Sequence, residues 1–123
     1  MPDELMPEEV RDLIVRYIDS VAQLEALLFL RARPNEQWEA ATVAKLLYAP
    51  LAEMAAALAG LADHEFLTRD DEHYRYARTS DRDAAVGALA DAYARHLVPI
   101  TNLIHSKCRH SLAFSEAIGF RKD

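Results

Sequence analysis

Six side chains in the middle of the chain, Thr42, Lys45, Arg69, His73, Arg75 and Arg78, are of the types that hold nucleic-acid phosphates. Free backbone amides at a helix starting at Pro50 would offer one more anion contact. Against them stands the stretch from Pro50 to Asp63, which contains no Arg, Lys, Asn, Gln, Ser or Thr. Bases are read in the major groove by donors and acceptors placed on their edges. Alanines, leucines and Glu53 can touch a thymine methyl or accept from a cytosine, but they cannot supply a guanine contact. Any DNA binding built on these residues is expected to be phosphate-dominated, steeply salt-sensitive and nearly blind to sequence.

The same stretch offers a second kind of chemistry. Ala52, Glu53, Ala56, Ala57 and Gly60 form a smooth face that permits close approach of another helix and can mark a protein contact; the alternative is an inert, alanine-rich helix surface. His105 and Cys108 share a helix face and His110 follows, but no fourth ligand is evident and His96 lies more than two turns away, so no metal and no other cofactor is expected. Glycine-rich phosphate loops, nucleophile elbows and His–carboxylate motifs are absent from the sequence, so no catalytic residue is assigned and no enzyme is expected.

The elements that must position these residues follow from periodicity. The chain has 123 residues, three glycines and five prolines, and its apolar class is rich in alanine, which favours one mostly helical domain. Pro7, Glu8 and Glu9 start a helix in which Val10, Leu13, Ile14, Tyr17 and Ile18 recur at helical spacing. Ser20 and Gln23 have the form of a capping box and open a second helix that Pro34 ends. A bridge-length strand at Trp38 precedes a third helix marked by Val43, Leu46 and Leu47. A tight connection at Tyr48 and Ala49 leads into a fourth, whose buried stripe is expected to be Leu51, Met54, Leu58 and Leu61. Phe66 to Arg69 and Tyr74 to Arg78 read as the two strands of one hairpin.

Beyond Ser80, the residues Val86, Ala90, Tyr93, Leu97, Ile100 and Ile104 step at coiled-coil spacing, which predicts one long helix, kinked at Pro99, and a homodimer seam. The sequence divides into an N-terminal helix (1–19), a core (20–79), the long helix (80–109) and a basic, aromatic tail (110–123). Phe114, Ile118, Phe120, Arg121 and Lys122 of that tail are expected to dock, on this chain, its dimer mate or a partner, because three large apolar groups are costly to leave in water.

The net charge of −6 is uneven: residues 39–79 carry four basic against seven acidic side chains, while 95–123 carry five against two. An acidic centre repels phosphate at long range. The acidic N-terminus and the lack of a long apolar run support neither a signal peptide nor a membrane span, and the lone Cys108 agrees with a reducing compartment; a cytoplasmic protein is expected.

After the N-terminal helix, the order helix, short strand, helix, turn, helix, hairpin, long helix resembles a winged helix-turn-helix domain. The segment Trp38 to Arg78 resembles bacterial winged-helix regulators of the MarR type: Ala44 sits where they place a small residue between two helices, and Leu58, Leu61, Phe66, Leu67 and Arg69 match their pattern into the wing. Where that family usually has glycine after the fourth helix, this chain has Glu65, which requires an unusual backbone conformation near His64 or a different helix end. The ending from Phe114 to Asp123 resembles the tails of small uncharacterised bacterial winged-helix proteins. The resemblance also implies a sensor pocket between the helices, with Tyr17, Tyr93 and His96 as lining candidates. Together these features lead to the expectation of a non-enzymatic, dimeric regulator acting through contact with a protein partner. A DNA-binding repressor of weak specificity is the alternative.

Overall fold

A computed structural model of the chain describes residues 7–77 and 82–105. Its elements are α1 (Glu8–Tyr17), α2 (Val21–Ala32), β1 (Trp38–Glu39), α3 (Ala40–Leu46), α4 (Leu51–Asp63), β2 (Leu67–Asp70), β3 (His73–Tyr76) and α5 (Asp83–Arg95). A further helical segment, α6, covers 97–105. This is the expected mostly α, winged helix-turn-helix architecture. The helices α3 and α4 meet at 117° across residues 47–50, within the range of a helix-turn-helix. The three-stranded antiparallel sheet has the order β1-β3-β2.

The buried faces of α1, α2 and α4 meet in one core. Val10, Leu13 and Ile14 are buried from α1 and Ile18 just beyond it, Leu24, Ala26, Leu27 and Leu30 from α2, and Met54, Ala57, Leu58 and Leu61 from α4. Ser20 caps α2 by accepting a hydrogen bond from the Gln23 amide at 3.0 Å. The reciprocal half of the expected capping box goes elsewhere. The Gln23 side-chain oxygen accepts from the Asp19 amide at 2.7 Å, and its Nε2 donates to the Ala57 carbonyl at 3.3 Å. Gln23 is thus a buried polar tie between α2 and α4, and it fits because a Cβ at Gly60 would stand only 2.9 Å from its Nε2.

Two expectations about the stripes are corrected. Leu46 and Leu51 were assigned to the interior by period, yet they are 49% and 56% exposed, while Ala57 takes the inner position on α4. Met54, Leu58 and Leu61 keep the expected stripe, and Leu51, the first residue of α4, lies where that stripe runs past the core. The long C-terminal helix is also broken, at His96 rather than Pro99: His96 has φ −133° and ψ 56°. A proline clashes with the carbonyl four residues earlier, so the helix ends before that clash and Pro99 falls within the first turn of α6, where its missing N–H costs nothing. His96 closes α5 by donating to Ala92 and opens α6 by accepting from the Ile100 amide.

The seam residues divide accordingly. Val86, Ile100 and Ile104 are fully buried within the single chain, Ala90 and Tyr93 are half-buried, and Leu97 is 50% exposed. The expected continuous dimer stripe is therefore corrected: half of it is core, α5 packing on α1. The expected tail contacts at Phe114, Ile118, Phe120, Arg121 and Lys122 lie outside the described residues.

Candidate functional site

Both turns that frame α4 are built from the same backbone device. At the end of α3, the Ala49 amide donates to Ala44 at 2.9 Å and the Tyr48 amide to Lys45, with Tyr48 at φ 56°. At the end of α4, the Phe66 amide donates to Leu61 at 2.9 Å and the Glu65 amide to Ala62, with Glu65 at φ 68°. These are paired 6→1 and 5→2 bonds, the Schellman ending, in which the left-handed residue is usually glycine. Here a tyrosine and a glutamate hold it, so the unusual conformation expected near His64 falls on Glu65 itself.

The first of these turns is apolar and open. Three of the six large apolar side chains exposed among the described residues, Leu46, Tyr48 and Leu51, lie between residues 46 and 51, and Tyr48 is 96% exposed. Leu51 and Ala55 then line a groove of about 370 Å³ with Glu39, Ala40 and Ala41 at the start of α3 and Arg69, Glu72 and Tyr74 of the wing. The other exposed residues of α4 are Ala52, Glu53, Ala56 and, at its end, Asp63. No side chain there donates a hydrogen bond. The α4 N-terminus has no side-chain cap, and Glu53 occupies its first turn, so a carboxylate already complements the positive helix end.

The wing distributes its charges in a way that the sequence pattern foreshadowed only in part. Register pairs Leu67 with Tyr76, Thr68 with Arg75, Arg69 with Tyr74 and Asp70 with His73. Opposed residues share a face and successive residues change face, so Arg69 and Arg75 project from opposite sides of the hairpin. Arg69 is held against its own hairpin: its Nε donates to the Asp71 carbonyl at 3.2 Å and its guanidinium lies over the Tyr74 ring. His73 Nε2 lies 3.5 Å from a Glu39 carboxylate oxygen. Asp71, at φ 57°, and Glu72 make the tip, next to Asp70, and all three are exposed. Thr42, Lys45 and Arg75 are exposed as expected, whereas Arg78 lies outside the described residues.

The remaining candidates have structural partners. Ala57 and Gly60 of the smooth face turn toward Gln23 rather than toward solvent, leaving Ala52, Glu53 and Ala56 for a contact. Tyr17 packs edge-on against His64 and Phe66, while the Tyr93 hydroxyl donates to a Glu25 carboxylate oxygen at 3.0 Å; the two tyrosines belong to different clusters rather than to one sensor pocket. Burial, helped by the Glu25 carboxylate, pushes the Tyr93 hydroxyl up to about 12. At the base of the wing Tyr76 donates to Asp83 at 2.5 Å, and Arg31 Nε donates to the same carboxylate at 3.2 Å, joining sheet, α2 and α5. Desolvation, with the Asp83 acceptor, raises the Tyr76 hydroxyl far above its ordinary range. Among the described residues no three metal-binding side chains come together, and Cys108 and His110 lie outside them.

The sequence reading missed Tyr48 as a site residue. Its signal was legible in outline, since an aromatic directly after a short helix, where the turn needs a left-handed residue, has little chance of burial. Comparison with known protein families, characterised proteins and solved structures found no match.

Proposed function

We propose that the chain is a non-enzymatic regulatory protein that uses its winged helix-turn-helix to bind another protein. The observation that carries this reading is the outer surface of α4, the element that enters the major groove in DNA-binding relatives of this architecture. It presents Leu51, Ala52, Glu53 and Ala56, and near its start it shares a groove with Glu72 of the three-carboxylate wing tip. Such a surface repels phosphate and reads no base, while its apolar groups reward contact with protein. No single helix among the described residues is long and apolar enough to cross a membrane; a cytoplasmic regulator resembling the MarR type is part of the proposal.

The exposed Thr42, Lys45 and Arg75 favour a second reading, a DNA-binding repressor with phosphate-dominated affinity. Selection from a random duplex pool at physiological salt distinguishes the two. The first reading expects no enriched site; a palindrome preferred by about a hundredfold or more, within the range of specific binders, would overturn it. Homodimerisation belongs to the proposal through the exposed Leu97 and Val98 rather than the buried half of the seam. Leu97→Glu should then give monomers in sedimentation, and a wild-type monomer at about tens of micromolar removes the dimer.

A further inference from the structure

We infer that the groove between α3, α4 and the wing takes a short, basic, amphipathic segment of a partner protein, with apolar residues against Leu51 and Ala55 and Lys or Arg toward Glu39 and Glu72. This rests on the protein-contact reading and names the chemistry of its partner. The groove floor is apolar, formed by Ala40, Ala41, Leu51, Ala55 and the Tyr74 ring. Its rim is acidic. Glu39 and Glu72 line it, and Asp71 is exposed next to Glu72 at the wing tip, against one lining cation, Arg69. That guanidinium is already engaged by the Asp71 carbonyl and the Tyr74 ring, and Glu39 faces only the His73 imidazole, so both lining carboxylates have room for an incoming cation.

The turn that feeds Leu51 into the groove supplies an independent pointer. Tyr48 stands almost wholly in water in a left-handed conformation that costs a non-glycine residue on the order of 1 kcal/mol. An exposed aromatic, rigid in its backbone and flanked by Leu46 and Leu51, has the character of an interface anchor. Charge complementarity decides among occupants. A duplex would bring phosphates to this rim, and a second copy would bring the same carboxylates from a chain of net charge −6; both are repelled. A basic amphipathic segment satisfies floor and rim together.

The test is fluorescence anisotropy on the full chain. Its probe is a labelled, acetylated peptide of about 15 residues with leucines at helical spacing and lysines elsewhere. Saturable binding to wild type, weakened about tenfold or more by Leu51→Arg and by Tyr48→Ala but less than about twofold by Val15→Arg, is the expected result. Val15 is exposed on α1 and receives the same added charge, so an equal loss there would reduce the effect to long-range attraction and overturn the assignment. Binding that emerges only in a Phe114→Glu, Phe120→Glu variant would overturn it in favour of the chain's own tail as occupant. If the wild type binds neither peptide nor random duplex DNA, the groove assignment falls alone. Specific duplex binding lost in Leu51→Arg would instead bring down the protein-contact reading beneath it.

Discussion

The two ends of α4 use one hydrogen-bond pattern for opposite purposes. At the exit, left-handed Glu65 delivers Phe66 into the core, where it packs against Tyr17 and lies under the Arg82 guanidinium, whose Nη2 donates to the His64 carbonyl. At the entrance, left-handed Tyr48 delivers only Ala49 inward and leaves its own ring in water. The strain is shared, so strain alone identifies no site. What separates the ends is where the aromatic goes: one turn spends it on the core, the other offers it to solvent.

The largest effect that would sharpen this contrast is at the exit. Phe66→Ala should destabilise the fold by about 3–5 kcal/mol in denaturant titration, whereas Tyr48→Ala should stay within about 0.5 kcal/mol. Equal losses would break the comparison. Between the ends, Gln23→Ala removes the polar tie between α2 and α4 and leaves the Ala57 carbonyl and the Asp19 amide without that partner; a loss of about 1–3 kcal/mol is expected in the same titration.

Smaller changes act on the shared strain. Glu65→Gly and Tyr48→Gly should each stabilise the protein by about 0.5–1 kcal/mol, because glycine relieves the left-handed penalty while its looser unfolded chain offsets part of the gain. Only the second should weaken binding of the leucine–lysine peptide. At neutral pH the smallest effect of all is expected from Tyr93→Phe. The native hydroxyl is held neutral up to about 12 while the unfolded one ionises near 10. Its contribution is therefore complete below pH 10 and is lost as pH rises toward 12. Thermal melts across that window should fall less steeply for Tyr93→Phe than for wild type.

Periodicity revealed much of this architecture and little of its surface. The alternation of Tyr74, Arg75 and Tyr76 placed the hairpin, and the inner residues of α1 and α2 were legible because long amphipathic helices have one way to face a core. The spacing of Leu46 and Leu51 failed for a physical reason. Near a helix end the stripe can run off the contact, and the close α2–α4 approach at Gly60 depends on a side chain, Gln23, that looked like part of a local cap. The coiled-coil spacing from Val86 to Ile104 likewise matched residues that lie on two helices, since a heptad count is blind to the break that Pro99 imposes upstream. The absence of donors on α4 was plain in the composition; the groove was not, because its walls come from α3 and a wing more than fifteen residues away in sequence.

Trp38 gives the molecule a built-in optical gauge of that groove. It is the single tryptophan, it sits on the edge strand immediately before α3, its ring meets Phe29 at 4.9 Å, and its indole nitrogen is buried without an acceptor. β1 continues directly into Glu39 and Ala40 of the groove wall, so any occupant that shifts the wall also changes the polarity around this one fluorophore. Water reaching the unpaired N–H would move its emission to the red, and tighter packing against Phe29 would move it to the blue. Occupancy of the groove can thus be followed in the untagged protein by the colour of its own light.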